Sequence, residues 1–231
     1  MADRPAVHQH AASIPAAWIE AYQSLRTGLL GHVTDDGFVD EKIRSMVPGG
    51  RVVGTALTVR LPDGDLECIV PAVDMLQPGD VLVIDHGGRE SLACWGELTS
   101  LAAKARGCVG VIVDGAVTNI AEIREHGLPT FARAVAALGG RRSGEGGGVN
   151  VPIQCGGVAV HPGDLVIADD DGVVVIPPPR LADVETPARA ALERTVLART
   201  WIERGGSLGE ISGLEAPEVA ALLQQRGRPA S

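Results

Sequence analysis

The spacing of hydrophobic residues predicts helices and strands in alternation along most of the chain. Apolar side chains recur every three or four positions between residues 13 and 30, which predicts one amphipathic helix. Nearly continuous apolar runs, such as residues 80–85, are typical of strands buried in a parallel sheet. This alternation indicates an α/β protein. By the same criteria we predict strands at 51–60, 80–85, 109–113 and 129–133, and helices at 89–107 and 120–126.

Strong turn signals punctuate the strands. Pro-Gly-Asp occurs at 78–80 and again at 162–164. The repeat is either an internal duplication or the same turn chemistry used twice, and we favour the second because Pro and Gly set such turns regardless of ancestry. Asp170-Asp171-Gly172 predicts a tight hairpin turn between strands at 165–168 and 173–176. Gly54, inside the first predicted strand, allows another backbone to approach closely.

The remaining segments have a simpler interpretation. Residues 143–149 are rich in glycine and predict a loop. Interspersed Arg and Glu predict a last helix at 181–204, for which Thr186-Pro187 is a candidate true start because Pro is favoured at the first helical position. We expect residues 1–12 and 215–231 to be disordered or peripheral.

Composition limits the classes of protein that this chain can belong to. Its 231 residues, of which 45% are hydrophobic, suffice for one large core, so we predict a single domain over residues 1–231. A formal net charge of −9 excludes the basic footprint of a nucleic-acid-binding protein. The four cysteines have neither zinc nor disulfide spacing, so we expect them to be reduced and mostly buried in a cytoplasmic protein. No apolar run approaches the length of a membrane span, and the expected partner is a small molecule or a protein.

Two places in the predicted α/β unit carry side chains suited to ligand binding. The segment Trp95-Gly96-Glu97-Leu98 lies in a predicted helix that follows a glycine-rich turn. A turn that leads into a helix in this way exposes backbone N–H groups that favour an anion. Glu97 is a carboxylate among apolar neighbours, so it has either a role or a partner, unless it faces solvent. Thr118 and Asn119 follow the strand that ends near Asp114, where α/β proteins place ligands.

A set of short motifs gives this chain a resemblance to a known family. Between about residues 54 and 176 it resembles the family that joins 4-hydroxy-4-methyl-2-oxoglutarate aldolases, oxaloacetate decarboxylases and the regulator of ribonuclease activity A. The resemblance implies an α/β sandwich like the swivelling β/β/α domains, called RraA-like, with an N-terminal and a C-terminal helix. It also implies homo-oligomers, either trimers or hexamers, with sites between subunits. The motifs are Gly54-Thr55-Ala56-Leu57-Thr58-Val59, Pro78-Gly79-Asp80-Val81, Gly96-Glu97, Val113-Asp114-Gly115 and Gly156-Gly157-Val158.

The chain departs from this family at two central positions. Family members with lyase activity carry an acidic residue, twenty other residues, then Arg-Asp, and a further acid three positions later. Glu97 and Glu122 match the two acids, but Thr118 and Asn119 stand where the family has Arg and Asp. In the family, the Arg binds the carboxylate and the developing enolate oxygen of a 2-oxo acid, and the Asp is a direct ligand of Mg²⁺ or Mn²⁺. The backbone amides that correspond to Gly96, Glu97 and Leu98 hold the carboxylate.

The resemblance therefore implies weakened metal binding. Asn119 offers an amide oxygen without a negative charge, whereas Mg²⁺ usually relies on one or two carboxylates. Candidate metal ligands are Asn119, Glu97, Glu122 and Glu193, the last of which corresponds to an acid from a neighbouring subunit. No nucleotide cofactor is expected.

A replacement for the missing arginine has to come from elsewhere if the substrate carries a carboxylate. Arg89, Arg124 and Arg133 are the candidates. The residues before Arg133 resemble the Pro-Val-Phe-Ala-Arg segment of the family. Each of the three could instead be a surface salt-bridge partner. His86 is a candidate acid or base, or a cap of the local backbone, and His126 is interpreted as a residue favoured by the dipole at a helix C-terminus.

These features predict a lyase-type enzyme that acts on a small anionic oxo- or hydroxy-acid by aldol cleavage or decarboxylation. Glu97, Thr118 and Asn119 are the predicted catalytic residues, with an altered substrate or altered metal use. Two alternatives stay open. One is a non-catalytic regulatory or binding protein of the same family, and the other is a metal-independent enzyme of changed reaction type.

Overall fold

A computed structural model describes residues 5–62, 64–144 and 146–226. Within these residues, nine strands form one sheet in which β3, β4, β5 and β6 run parallel at the centre. The full order is β1-β7-β3-β4-β5-β6-β2, and the β10–β11 hairpin pairs with β3. The elements are β1 (Ala6–Val7), α1 (Ala16–Tyr22), α2 (Thr27–Leu30), β2 (Arg44–Ser45), β3 (Val52–Arg60), α3 (Ile69–Met75), β4 (Asp80–Trp95), α4 (Glu97–Ala105), β5 (Gly110–Val117), α5 (Ile120–His126), β6 (Thr130–Val135), β7 (Gly148–Val149), β8 (Ile153–Cys155), β9 (Val158–Val160), β10 (Leu165–Asp169), β11 (Gly172–Ile176), α6 (Leu181–Glu203) and α7 (Ala216–Arg226).

Both faces of the central sheet are buried, as a nearly continuous apolar sequence requires. Leu82 and Ile84 belong to a cluster that includes side chains of α3, α4 and α5. Val81 and Val83 point the other way, into a second cluster that contains the β8–β9 hairpin. The alternation of neighbouring side chains between faces explains the two clusters. The predicted mixed α/β architecture is therefore confirmed.

The N-terminal helix predicted at 13–30 is interrupted. α1 ends at Tyr22, because the Arg51 guanidinium donates hydrogen bonds to the carbonyls of Tyr22 and Leu25 at 3.1 and 3.0 Å. α2 then starts at Thr27, whose backbone and hydroxyl both donate to the buried carboxylate of Asp169. Polar groups distant in sequence thus terminate the first helix and begin the next.

The predicted helix at 89–107 is wrong in its first half. β4 continues to Trp95, and α4 begins only after Gly96. Beyond Asp85, the pairing of β4 with β5 shifts register three times, which absorbs the extra residues in a bulged segment. Gly87 and Gly88 lie in that segment with φ of 62° and 70°.

Several other expectations are confirmed. α5 has the predicted bounds, and Gly127 caps it at φ 69°. The hairpin turn between β10 and β11 forms as predicted. A β-carbon on Gly54 would lie 2.5 Å from the Gly79 carbonyl oxygen, so the close approach is real. α6, however, begins at Leu181 with Pro187 inside the helix, because the buried Leu181 and Val184 hold its first turn against the β10–β11 hairpin.

The described segments nearest the two chain ends, 5–12 and 215–226, pack on the rest of the molecule. β1 pairs in parallel with β7, which occupies the end of the predicted loop at 143–149. α7 packs on α6 through Val219 and Leu223, in a cluster separate from those of the sheet. Parts of the segments that we predicted to be loop, disordered or peripheral lie outside the described residues, namely 1–4, 145 and 227–231. No helix in the described part of the chain has the length and apolar character needed to cross a bilayer.

Candidate active site

A cavity of about 330 Å³ opens at the carboxyl ends of β4 and β5. This edge of a parallel sheet is where α/β proteins commonly bind ligands. The cavity brings together six of the residues that the sequence singled out, from two separate strand-to-helix junctions. The lining residues are Leu66, Ala93, Cys94, Trp95, Gly96, Glu97, Leu98, Thr99, Thr118, Asn119 and Gly139.

Hydrogen bonds hold the β4–α4 junction rigid. The indole N–H of Trp95 donates to the Ser100 hydroxyl at 2.7 Å, and that hydroxyl donates to the Gly96 carbonyl at 2.8 Å. The Thr118 amide donates to the Trp95 carbonyl at 2.9 Å, which links this junction to the end of β5. Two segments more than twenty residues apart therefore form one wall of the cavity.

Two of the three expected anion-binding amides are available. The Gly96 N–H donates to the Thr99 hydroxyl oxygen at 3.0 Å, so it is already used inside the protein. The amides of Glu97 and Leu98 lie in the first turn of α4, where a helix provides no backbone acceptor for them. These two N–H groups, at the positive end of the helix dipole, are suited to a carboxylate.

Thr118 and Asn119 pack directly against Gly96. A β-carbon on Gly96 would lie 2.9 Å from the Thr118 methyl carbon and 3.1 Å from the Asn119 amide oxygen. Asn119 has φ 53° and ψ 46°, a left-handed conformation that Asn tolerates better than most residues. The glycine at 96 and the asparagine at 119 thus allow the two junctions to meet.

Glu97 lies at the mouth of the cavity with a neighbour that the sequence did not suggest. Its side chain is 39% exposed, and its Oε1 is 3.8 Å from Nε2 of His126, at the end of α5. That Nε2 atom is buried and has no hydrogen-bond partner in the described part of the chain. The Lys104 ammonium donates to the His126 carbonyl at 2.5 Å. His126 therefore lies beside a candidate catalytic residue as well as at the end of a helix. The sequence did not predict this contact, because His126 and Glu97 are far apart along the chain.

The remaining predicted site residues lie outside the cavity of one chain. Arg133 pairs with Asp40 at 2.7 Å and with Asp114, and although burial disfavours its charge, these two partners raise its pKa. Arg89 lies in the bulged part of β4 opposite Gly115. Glu122 lies in the first turn of α5 and Glu193 is exposed on α6. None of these four side chains is among the lining residues.

His86 is also absent from the cavity lining. Its side chain is fully buried, and neither ring nitrogen has a hydrogen-bond partner in the described residues, so it does not cap the backbone. Burial lowers the pKa of His86, and the nearby charge of Arg89 lowers it further, while Asp114 opposes the shift. The ring is therefore a neutral buried group near Gly115.

The cysteine in the cavity wall is not a nucleophile. Cys94 is 4% exposed, and burial raises the pKa of its thiol to about 12. The nucleophilic form is the thiolate, which is negligible at neutral pH for such a group. All four cysteines are free and buried, as the sequence predicted.

The lining groups do not make a divalent-metal site by themselves. Glu97 supplies one carboxylate and Asn119 one amide oxygen. Among the described residues, no group of three or more His, Cys, Asp and Glu side chains converges to hold a metal ion. The donor set of one chain thus falls short of what Mg²⁺ or Mn²⁺ usually requires.

The fold and cavity define an α/β protein with a candidate ligand site at the ends of adjacent parallel strands. A family model for RraA-like proteins, described as Aldolase/RraA, matches residues 27–175, and the chain belongs to this family.

Relatives of this chain include proteins named as aldolases and proteins named as RraA. The chain is 35% identical over 173 residues to a putative 4-hydroxy-4-methyl-2-oxoglutarate aldolase of Halalkalibacterium halodurans, covering 70% of this chain and 82% of that one. RraAS2 of Streptomyces coelicolor, described as an unusual member of the RNase ES inhibitor RraA protein family, matches with a TM-score of 0.72 and 25% identity, over 80% of this chain and 98% of that one. An uncharacterized Pseudomonas syringae protein matches with a TM-score of 0.75 and 28% identity, over 86% and 94% of the two chains. The aldolase names support a lyase-type role.

Proposed function

We propose that this protein is a carbon–carbon lyase that acts on a small anionic oxo- or hydroxy-acid through an enolate. The observation that supports it is the convergence of Glu97, the first-turn amides of Glu97 and Leu98, Thr118 and Asn119 on one cavity. A carboxylate base, an anion-binding helix end and neutral hydrogen-bonding groups are together suited to cleavage of a 4-hydroxy-2-oxo acid.

The chemistry follows from these groups. The substrate carboxylate is held by the amides of Glu97 and Leu98. The carboxylate of Glu97, or a water that it holds, takes the proton of the 4-hydroxyl group as the bond between C3 and C4 breaks. C4 becomes the carbonyl carbon of the released product, and the electron pair of the broken bond forms the enolate between C2 and C3. Thr118 and Asn119 stabilise the enolate oxygen, and a proton then adds to C3.

Altered metal use is part of the proposal. A divalent cation would bind weakly, because Asn119 is neutral and the cavity contributes one carboxylate from this chain. We expect activity in the presence of a chelator to remain within about tenfold of the activity with Mn²⁺, since removal of a dominant stabiliser costs ~100-fold or more. The double substitution Thr118→Arg with Asn119→Asp should increase Mn²⁺-dependent decarboxylation of oxaloacetate. No increase would show that the cavity has been rebuilt and does not merely lack two side chains.

A matched pair of variants tests the proposal. Formation of pyruvate from 4-hydroxy-2-oxo acids should fall ~100-fold or more in Glu97→Gln, which keeps the shape of the side chain but removes the base. Glu125→Gln, on the exposed surface of α5, should leave the rate unchanged. Absence of turnover by the unaltered protein, with and without Mg²⁺ or Mn²⁺, would refute the proposed activity.

A non-catalytic regulatory role is the second candidate. It is favoured by the replacement of Arg and Asp with Thr118 and Asn119, by the net charge of −9, and by the similarity to RraAS2. An acidic surface is complementary to a basic protein partner. If the purified protein is inactive on every 2-oxo acid and retains a stoichiometric partner in a pull-down, this role replaces the lyase. Absence of a stoichiometric partner would count against it.

We expect the active form to be a homo-oligomer, as a trimer or a hexamer. Leu98 and Leu101 on α4 and Leu138 after β6 are 76%, 48% and 64% exposed in the single chain. Apolar side chains grouped beside a cavity are typical of a surface that another subunit covers. Light scattering coupled to size-exclusion chromatography measures the mass directly, and a monomer at micromolar concentration would contradict this expectation.

A further inference from the structure

The walls of the cavity show an imbalance of charge that bears on the substrate. Glu97 is the one charged side chain among the described lining residues. Thr99, Thr118 and Asn119 add neutral polar groups. The other lining side chains carry no charge. Leu66, Ala93 and Leu98 are apolar, Cys94 is a neutral thiol, and the Trp95 ring is buried.

Among the groups that this chain contributes, the binding capacity for anions is therefore restricted to one place. The amides of Glu97 and Leu98 at the start of α4 can accept a single carboxylate. Arg133 cannot serve a second one, because its guanidinium is bound by Asp40 and Asp114. A second carboxylate would lie near the carboxylate of Glu97 or against apolar walls, and both positions disfavour a negative charge.

From this arrangement we infer that the substrate is a monocarboxylic 4-hydroxy-2-oxo acid whose far end is a small alkyl group. The inference deepens the proposed lyase function and rests on it. It distinguishes this chain from relatives whose names specify a glutarate, an acid with two carboxylates. The alkyl group would contact Leu66, Ala93 and Leu98, where burial of apolar surface contributes to binding.

Two substrates that differ only at the far end provide the test. 4-Hydroxy-2-oxopentanoate yields pyruvate and acetaldehyde, whereas 4-hydroxy-2-oxopentanedioate yields pyruvate and glyoxylate. Pyruvate formation, measured by chromatography, gives kcat/KM for both. We expect at least a tenfold higher kcat/KM for the monocarboxylic acid. Equal or higher kcat/KM for the dicarboxylic acid would overturn the inference and leave the lyase function standing.

A charged variant and its control locate the effect in the cavity. Leu98→Arg places a cation at the cavity mouth and should move the kcat/KM ratio at least fivefold toward the dicarboxylic acid. Leu101→Arg adds the same charge to the same exposed apolar surface of α4, so it reproduces any effect on the assembly of subunits. Leu101 does not line the cavity, so in this variant the kcat/KM ratio should not change. Equal shifts in both variants would indicate a general effect of charge and would contradict the assignment.

Binding decides the inference if neither substrate is cleaved. That outcome refutes the lyase function, and calorimetry with the uncleavable 2-oxopentanoate and 2-oxopentanedioate then measures the same preference. At least tenfold tighter binding of 2-oxopentanoate would support the inference. Tighter binding of the dicarboxylic acid, or no binding of either, would overturn it.

Discussion

The contact between Gly96 and the pair Thr118–Asn119 predicts a specific coupling of stability. In Gly96→Ala, the added methyl group would lie 2.9 Å from the Thr118 methyl carbon and 3.1 Å from the Asn119 amide oxygen. Gly96 has φ −162°, an extended conformation that alanine adopts readily, so the cost comes from the contacts and not from the backbone. Overpacking of this kind costs about 1–3 kcal/mol.

The expected loss of stability in Gly96→Ala is large enough to measure. For a chain of this size, 1 kcal/mol corresponds to about 2–4 °C in Tm, so Gly96→Ala should lower Tm by about 2–12 °C. Thr118→Ser removes the methyl carbon responsible for the shorter contact. In a Thr118→Ser background, we therefore expect Gly96→Ala to cost at least about 1 kcal/mol less than it does alone.

Urea unfolding of the four proteins in this cycle, followed by far-ultraviolet circular dichroism, provides the free energies. Protein concentration must be constant, because assembly of subunits changes the apparent stability. If Gly96→Ala costs the same in both backgrounds to within about 0.5 kcal/mol, the two junctions do not press on each other and the packing argument is refuted.

Three further predictions concern ionisable groups in the interior or at its edge. Because the pKa of His86 is lowered in the folded protein, protonation of this ring destabilises the fold as the pH falls below about 6.5. In urea unfolding between pH 5 and 8, His86→Leu should therefore lose less stability on acidification than the unaltered protein. For His10, burial opposes the charged form, but a 2.7 Å hydrogen bond to Asp80 raises the pKa. The same measurements should show a stabilisation from His10 that is present below about pH 6.5 and is lost as the pH rises through the folded-state pKa. This stabilisation should be absent in His10→Gln. Asp114→Ala removes a partner of the mostly buried Arg133 and should cost about 3–5 kcal/mol in urea unfolding, and a cost below about 1 kcal/mol would show that this pair is not structural.

Much of the fold is predictable because it depends on local chemistry. The strand at β3, the hairpin of β10 and β11, and the bounds of α5 follow from apolar runs, from the turn at Asp170-Asp171-Gly172, and from Gly127 as a helix cap. The prediction of a site beside Glu97, Thr118 and Asn119 follows from the rule that ligands bind beyond the ends of parallel strands.

The errors arise where distant residues compete with local preference. Residues 89–95 have a helical pattern, yet they pair with β5 as a bulged strand because β5 offers backbone partners along its whole length. The helix predicted at 13–30 is interrupted because Arg51 and Asp169 bind its backbone groups. Neither interaction is visible in a window of neighbouring residues.

The sequence by itself determined the α/β class, the turns, the family and the loss of the Arg-Asp pair at Thr118 and Asn119. These features depend on residue identity and on spacing along the chain. Only the tertiary structure decided that Arg133 is held by Asp114 and Asp40, and that His126 lies beside Glu97. Such pairings depend on the distances between side chains after the sheet has formed, and those distances determine which charges are available to a ligand.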